Sequence, residues 1–268
     1  MSLTLQSIHC YPLKSAAGLS LLQAEVQARG LADDRRWMAV DANGKFISGR
    51  SHPQLVQVVA QVLSDGSLQL DYPGLSTLHV PLPALGAARI AVSVWSSSVL
   101  AVRCAAVAEQ WLSTVLGSAA QLVYMDDAAV REVDPDHSQP GDQVSFADGF
   151  PLLLLSSASI DELNTRASHP LDLRRFRPNL VIAGATPHEE DRWTRIRIGE
   201  IEFVLPKPCV RCVFTTIDAD SGRADPAGEP LTTLKHYRRS PKGITFGMNM
   251  IARMNGVLRV GMVVHVCE

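Results

Sequence analysis

Short runs joined by tight-turn residues constrain this chain more than anything else in it. Trp37-Met38-Ala39-Val40 leads through Asp41-Ala42-Asn43-Gly44 into Lys45-Phe46-Ile47, so Gly44 stands where a hairpin turn needs positive φ. Val58 to Leu63 and Ser67 to Tyr72 flank Ser64-Asp65-Gly66, a second turn signal, and Pro73-Gly74 breaks the chain again. Between them, Pro53-Gln54-Leu55-Val56 reads as a helical turn or a plain link. Short strands at this spacing favour a barrel or sandwich.

One helix follows. Val102, Ala106, Val107, Trp111, Leu112 and Val115 recur at helical spacing, with Gly117 placed as a left-handed C-terminal cap. The division between domains is expected just beyond it, with a first unit over residues 1–119 and a second over 120–268. From Asp126 to Ala147 the chain is polar and carries five aspartates. A solvated surface loop is the simple reading and a substrate-gating loop the sharper one. Phe150 to Leu155 reads as a buried strand, and Ser159-Ile160-Asp161-Glu162 as a capping box opening a helix. The fold class is therefore expected to be α+β and β-rich, with a few helices packed on two β-dominated domains.

The chemistry-bearing run is Pro208-Cys209-Val210-Arg211-Cys212-Val213-Phe214-Thr215-Thr216-Ile217-Asp218. A thiolate is a soft metal ligand and a nucleophile, and a nearby guanidinium favours it over the thiol. Three readings compete. A zinc site needs four ligands, but Cys10, Cys104 and Cys267 are singletons and the eight histidines include no closely spaced pair. A thioredoxin-like dithiol opens a helix, whereas Val213 to Ile217 reads as strand. The third reading is a pair of buried core cysteines.

Other stretches bear on that choice. PCVRCVFTTIDADSG, EPLTTLKHYRR and ITFGMNMIARMNGVLRVGMVVHV resemble the second half of a MOSC domain. FPLLLLSSASIDELNTR and FRPNLVI resemble its first half. CYPLKSAAG, GLADDRRWMAVD and FISGRSHPQL resemble the β-barrel domain that precedes MOSC in one branch of the family. That branch holds the mitochondrial amidoxime-reducing components and their bacterial relatives, which reduce N-hydroxylated compounds with a molybdenum cofactor.

The resemblance implies a site. Cys212 becomes the metal ligand and catalytic residue, beside a pterin dithiolene and oxo groups, with Arg211 and Val210 against the cofactor. The family often has a small polar residue where Val210 stands. Arg177 and Asn179, in the F-R-P-N pattern, fall to the cofactor's phosphate and pterin, a task that suits a guanidinium. Lys14 and Ser15 reach the same phosphate, and Arg35 adds a basic contact. The turn Ser156-Ser157-Ala158-Ser159 would lie against the pterin through Ser157 and Ser159; a helix N-terminus favours an anion, although plain capping by Ser159 explains the same residues. Cys209 is expected to be a buried structural thiol, and Arg174 a surface charge.

Composition is compatible with this reading and excludes others. The 268 residues are 46% hydrophobic and 19% charged, with a formal net charge of −2. Nothing there points to nucleic acid or to an acidic membrane surface. Five cysteines without a framework suit a reducing compartment, and no secretory or membrane-spanning segment is legible, so the cytoplasm is expected. No dinucleotide fingerprint or plant-type iron–sulfur spacing is present. Electrons are therefore expected from a separate protein, a haem or iron–sulfur carrier with its flavin reductase. The alternative function is a sulfur carrier or cofactor-binding module working through a Cys212 persulfide.

Overall fold

The computed structural model describes residues 2–84 and 86–267. Its largest sheet runs in the order Val264–Val266, Arg195–Ile198, Ile201–Val210, Gly243–Ala252, Leu152–Ser156, Leu180–Ala183, Thr4–Cys10 and Leu19–Leu21. An antiparallel bridge between Thr4 and Val263 brings the two ends of that order together, so the sheet curls into a barrel. Period-two patterning explains its interior. Leu152 and Leu154, Leu180 and Ile182, Ile196 and Ile198, and Met248 and Met250 all point into one apolar core. The strand Leu152–Ser156 is buried at every position because its other face packs on helix Ser157–Arg166, with Leu155, Ile160 and Leu163 in one cluster.

The remaining strands form smaller sheets. Trp37–Val40, Gln121–Tyr124, Ser97–Arg103 and Arg89–Val94 make one, and Val59–Val62, Leu68–Asp71 and Leu78–Val80 another. Gly44 and Gly66 take positive φ at the two expected hairpin turns. Pro53–Gln57 is a 3-10 turn, and helix Ala106–Leu116 ends on Gly117 with φ of 65°. Val102 lies in the preceding strand and Val107 is exposed, so the helix's buried stripe is Ala108, Leu112, Val115 and Leu116.

The chain's strand-rich, barrel-based character is as the sequence implies. Strand pairing nevertheless crosses residue 119 in both directions. Thr4–Cys10 pairs with Leu180–Ala183, Gln23–Gln27 pairs with Gly256–Arg259, and Gln121–Tyr124 pairs with Trp37–Val40. Among the described residues, no helix is long and apolar enough to cross a membrane.

Two expectations need correction. The segment from Asp126 to Ala147 is not a solvated loop: Val133, Val144 and Ala147 are buried with Phe150 and Ile251, and buried Arg131 donates to the carbonyls of Ser145, Ala147 and Asp148. Asp127, Asp134 and Asp136 face outward, Asp142 turns in to pair with Arg253, and the apolar residues anchor the segment. Val213–Thr216 is a 3-10 turn rather than a strand, because Thr215 folds back through both its N–H and its Oγ1 onto the Cys212 carbonyl at 3.0 and 2.9 Å.

Candidate active site

A cleft of about 870 Å³, counted to its open mouth, gathers residues from eight separate stretches of chain. Lys14, Ser15, Arg35, Arg177, Asn179, Val210, Arg211 and Cys212 all line it. Ser157 and Ser159 do not. Six cations face the cleft, Lys14, Arg35, Arg50, Arg175, Arg177 and Arg211, against one carboxylate, Asp148. This is a place for an anion.

Local backbone conformation aims several of these groups. Six described residues other than glycine have clearly positive φ, and four of them, Ser15, Arg35, Trp95 and Arg177, line the cleft. Such conformations persist where surrounding contacts over-determine them, and they concentrate at binding sites. Those contacts are visible here. Tyr11 is buried, donates its hydroxyl to the Pro178 carbonyl at 3.0 Å, and carries the Arg35 and Arg177 guanidinia at 4.1 and 4.2 Å from its ring. Burial pushes the Tyr11 hydroxyl up to about 12, against the pull of both arginines. Gly18 permits the arrangement, since a Cβ there would stand 2.4 Å from the Tyr11 ring.

Asn179 ties the floor together. Its Oδ1 accepts from Arg35 at 3.1 Å and from the Leu153 N–H at 3.2 Å, and its Nδ2 donates to the His9 carbonyl. Buried Asp34 pairs with Arg35 at 2.5 Å. Arg177 donates Nη1 to the Ala16 carbonyl, but its buried Nη2 has no partner among the described residues. Burial and the neighbouring Arg35 charge lower Arg177 to about 10. Lys14 is buried, with its ammonium 2.7 Å from both the Phe146 carbonyl and Asp148. Enclosure lowers the Lys14 ammonium, and the Asp148 charge works against that shift. Desolvation where it meets Lys14 works to raise the Asp148 carboxyl, but Lys14 and a hydrogen bond from Trp95 hold it well below the usual carboxylate range, although 68% of the side chain stays exposed.

The two thiols are placed differently from each other. Cys212 is exposed at the head of the 3-10 turn, where the carbonyl contacts from Thr215 fix its backbone. Cys209 is half-buried and lines the cleft, so it is not a buried structural thiol. Arg211 donates to the Cys209 sulfur at 2.9 Å and to the Phe176 carbonyl at 2.7 Å, leaving its buried Nε without a partner among the described residues. Val210 is about half exposed at the rim, and its backbone pairs with Thr245. Arg174 is a surface charge as expected, paired with Asp172 and Asp220.

The Ser157 and Ser159 assignment requires correction. The helix begins at Ser157 with Ser156 as its cap, and the Ser156 hydroxyl accepts from the Ser159 N–H. The anion site at this helix start is real, but the protein's own Glu190 fills it. That buried carboxylate accepts from the Ser156 N–H and hydroxyl and from the Ser159 hydroxyl, at 2.7 to 3.1 Å. Ser159 is fully buried and has nothing left to offer a ligand.

Residues 2–119 match the MOSC N-terminal beta barrel domain, and residues 141–265 match the MOSC domain. Mitochondrial amidoxime reducing component 2 of Bos taurus is 34% identical over 96% of this chain and 81% of its own length. This chain belongs to the MOSC-domain family that contains the amidoxime-reducing components. A human member, mitochondrial amidoxime-reducing component 1, is 30% identical over the same shares of both chains. Membership accords with the strand-rich, barrel-based architecture already described.

The cleft also shows parts that sequence reasoning missed. Arg50, Phe46, Trp95, Arg131 and Asp148 either line it or brace its wall. Phe46 and Arg50 lie inside the FISGR run, so a signal was present; Trp95 and Asp148 sit in turns with no motif around them.

The fit of a molybdenum pterin can be tested on these residues. A phosphate-bearing group needs unspent donors, and Arg177 Nη2 and Arg211 Nε are buried donors in the cleft without partners among the described residues. A soft metal needs a thiolate, and Cys212 offers its thiol to the open side. Among the described residues, no three histidine, cysteine or acidic side chains cluster to hold a metal by themselves. A metal here would take its remaining ligands from the cofactor. The residues fit the group.

Proposed function

We propose that this protein is a molybdenum-cofactor oxidoreductase that reduces N-hydroxylated compounds such as amidoximes, hydroxylamines and N-hydroxylated bases. One observation carries the reading: the exposed Cys212 thiol opens onto a cationic cleft that still holds buried, unpartnered guanidinium nitrogens. Membership in a family whose named relatives are amidoxime-reducing components supports the choice of reaction.

In this reading Lys14, Ser15, Arg35 and Arg177 hold the cofactor's phosphate. Asn179, Arg211 and the Val210 backbone position its pterin, and the Cys212 thiolate ligates its metal. Bound there, the cofactor would supply two-electron chemistry at an N–O bond. The chain's own part is binding, orientation and electrostatic bias. Rigid Asn179 and Tyr11 contacts keep the guanidinia in place, and Thr215 fixes the Cys212 backbone. Electrons come from a separate carrier protein.

Purified protein from a host that makes the cofactor should contain about one molybdenum per chain. It should reduce benzamidoxime when given a chemical reductant, and this activity should fall by orders of magnitude in Cys212→Ser. Metal-free protein carrying labile sulfane sulfur on Cys212 would instead support the persulfide-carrier reading, which the relatives' names do not favour.

A further inference from the structure

Trp95 is an anomaly of conformation and exposure. It is the first of two residues, Trp95 and Ser96, joining strands Arg89–Val94 and Ser97–Arg103, which pair at Val94 and Ser97. Its φ is 58°, a turn position that glycine normally fills and that a bulky L-residue adopts only under constraint. The residue is 47% exposed. A half-exposed indole on a strained turn is poorly explained as core.

The neighbours show what holds it. The Arg50 guanidinium lies 4.2 Å from the indole ring, and the Phe46 ring stands 5.1 Å away at 54°. The indole N–H reaches Asp148 at 3.4 Å, and Asp148 is pinned by Lys14. Arg50 is exposed, and among the described residues it has no ion pair or hydrogen bond. Its place is set from the other side by Gly49, where a Cβ would stand 2.2 Å from the Phe214 ring, two residues beyond Cys212. Arg50, Trp95, Phe214 and Cys212 all face one cleft.

We propose that Trp95 and Arg50 form a stacking plate at the mouth of this cleft that selects planar, π-delocalised N-hydroxylated substrates over small aliphatic ones. The proposal rests on the reductase reading above. An indole braced by a guanidinium presents a flat, rigid, polarisable surface, and a conjugated substrate stacks on it at little entropic cost. An alkyl hydroxylamine has no π-face to place there, and an alkyl amidoxime has only its small N–C–N plane with no aryl ring beside it. The plate binds and orients; the bond-breaking belongs to the centre beside Cys212.

The test compares two substrates on wild type, Trp95→Phe and Trp95→Gly, using cofactor-loaded protein and a chemical reductant. The ratio of kcat/KM for benzamidoxime to that for acetamidoxime should fall about tenfold in Trp95→Gly. Most of the change should be in the KM for benzamidoxime, and Trp95→Phe should recover much of the ratio. Glycine fits the turn, so Trp95→Gly should fold and keep its Tm within about 4 °C. Benzamidoxime should also quench indole emission in wild type but not in Trp95→Gly, which keeps the buried Trp37 and Trp193 and the half-buried Trp111 that does not line the cleft. An unchanged ratio in Trp95→Gly, or equal losses on both substrates, overturns the plate. Quenching and Trp95-dependent affinity in a protein that reduces neither compound would keep the plate and remove the reductase reading.

Discussion

Gly49 lies so close to Phe214 that a Cβ at residue 49 would stand 2.2 Å from the Phe214 Cε2. The contact joins the FISGR run, distant in sequence, to the turn that Cys212 opens. Gly49→Ala should push the Phe214 ring and move that turn. Overpacking of this kind costs about 1–3 kcal/mol. Calorimetry should show a lowered Tm, and metal analysis should show less molybdenum retained than in wild type. Unchanged values of both would mean that the turn accommodates a methyl group freely.

The two thiols should separate under substitution. Cys212→Ser replaces a soft ligand with a hydroxyl that stays protonated at neutral pH, so turnover should largely vanish while the fold persists. Cys209→Ser removes the sulfur that accepts from Arg211 at 2.9 Å, so activity should drop only partly, through a looser Arg211. Near-normal turnover in Cys212→Ser with none in Cys209→Ser would exchange their roles.

Arg177 and Arg174 are near in sequence and opposite in setting. Arg177→Ala should cut cofactor affinity by about one to two decades, the usual cost of losing a charge-assisted contact. Arg174→Ala should do much less, because its partners Asp172 and Asp220 are on the surface. Pterin released per chain after dialysis measures both, and equal retention would remove Arg177 from the phosphate.

The Lys14–Asp148 pair predicts acid sensitivity. The folded-state pKa of Asp148 lies below that of an unfolded aspartate, about 3.9, so its contribution is present above that value. It is lost progressively as pH falls below about 4 toward the folded pKa. Asp148→Asn should therefore flatten the fall in stability below about pH 4. The flattening should be modest, since the Asp148 side chain is 68% exposed and its pairing is screened. Urea unfolding at several pH values gives the slopes, and parallel slopes in both proteins would refute the linkage.

Electron supply is a separate question from electron use. With no dinucleotide fingerprint in the sequence, NADH or NADPH alone should not sustain benzamidoxime reduction, whereas a chemical reductant or a reconstituted carrier chain should. Nicotinamide-driven turnover by the purified protein would refute this.

Much of the fold could be read from local pattern. Gly44, Gly66 and Gly117 mark turns and a cap that depend only on adjacent residues, and the buried strand at Leu152 to Leu155 follows from its unbroken apolar run. What stayed hidden depends on residues far apart in sequence. Glu190, 34 residues beyond Ser156, already occupies the helix start where an external anion was expected. Arg131 and the apolar Val133 and Val144 turn an apparently polar loop into a wall. The grouping of Lys14, Arg35, Arg177 and Cys212 was legible only through motif resemblance. Trp95 and Asp148 join them through turns that no local pattern announces.

The strand pairing across residue 119 bears on how the chain can be cut or made. A ribosome releases the Thr4–Cys10 strand long before Leu180–Ala183 exists, so that stave can pair early with Leu19–Leu21 but its other edge stays open through most of synthesis. A fragment starting at residue 120 would lack it altogether, leaving Leu180–Ala183 with an open hydrogen-bonding edge, and would carry Gln121–Tyr124 away from its own sheet. Open edges of that kind recruit other chains. The stretches on either side of residue 119 are thus obligate companions: each keeps a strand in a sheet of the other, so a cut there splits sheets rather than separating units.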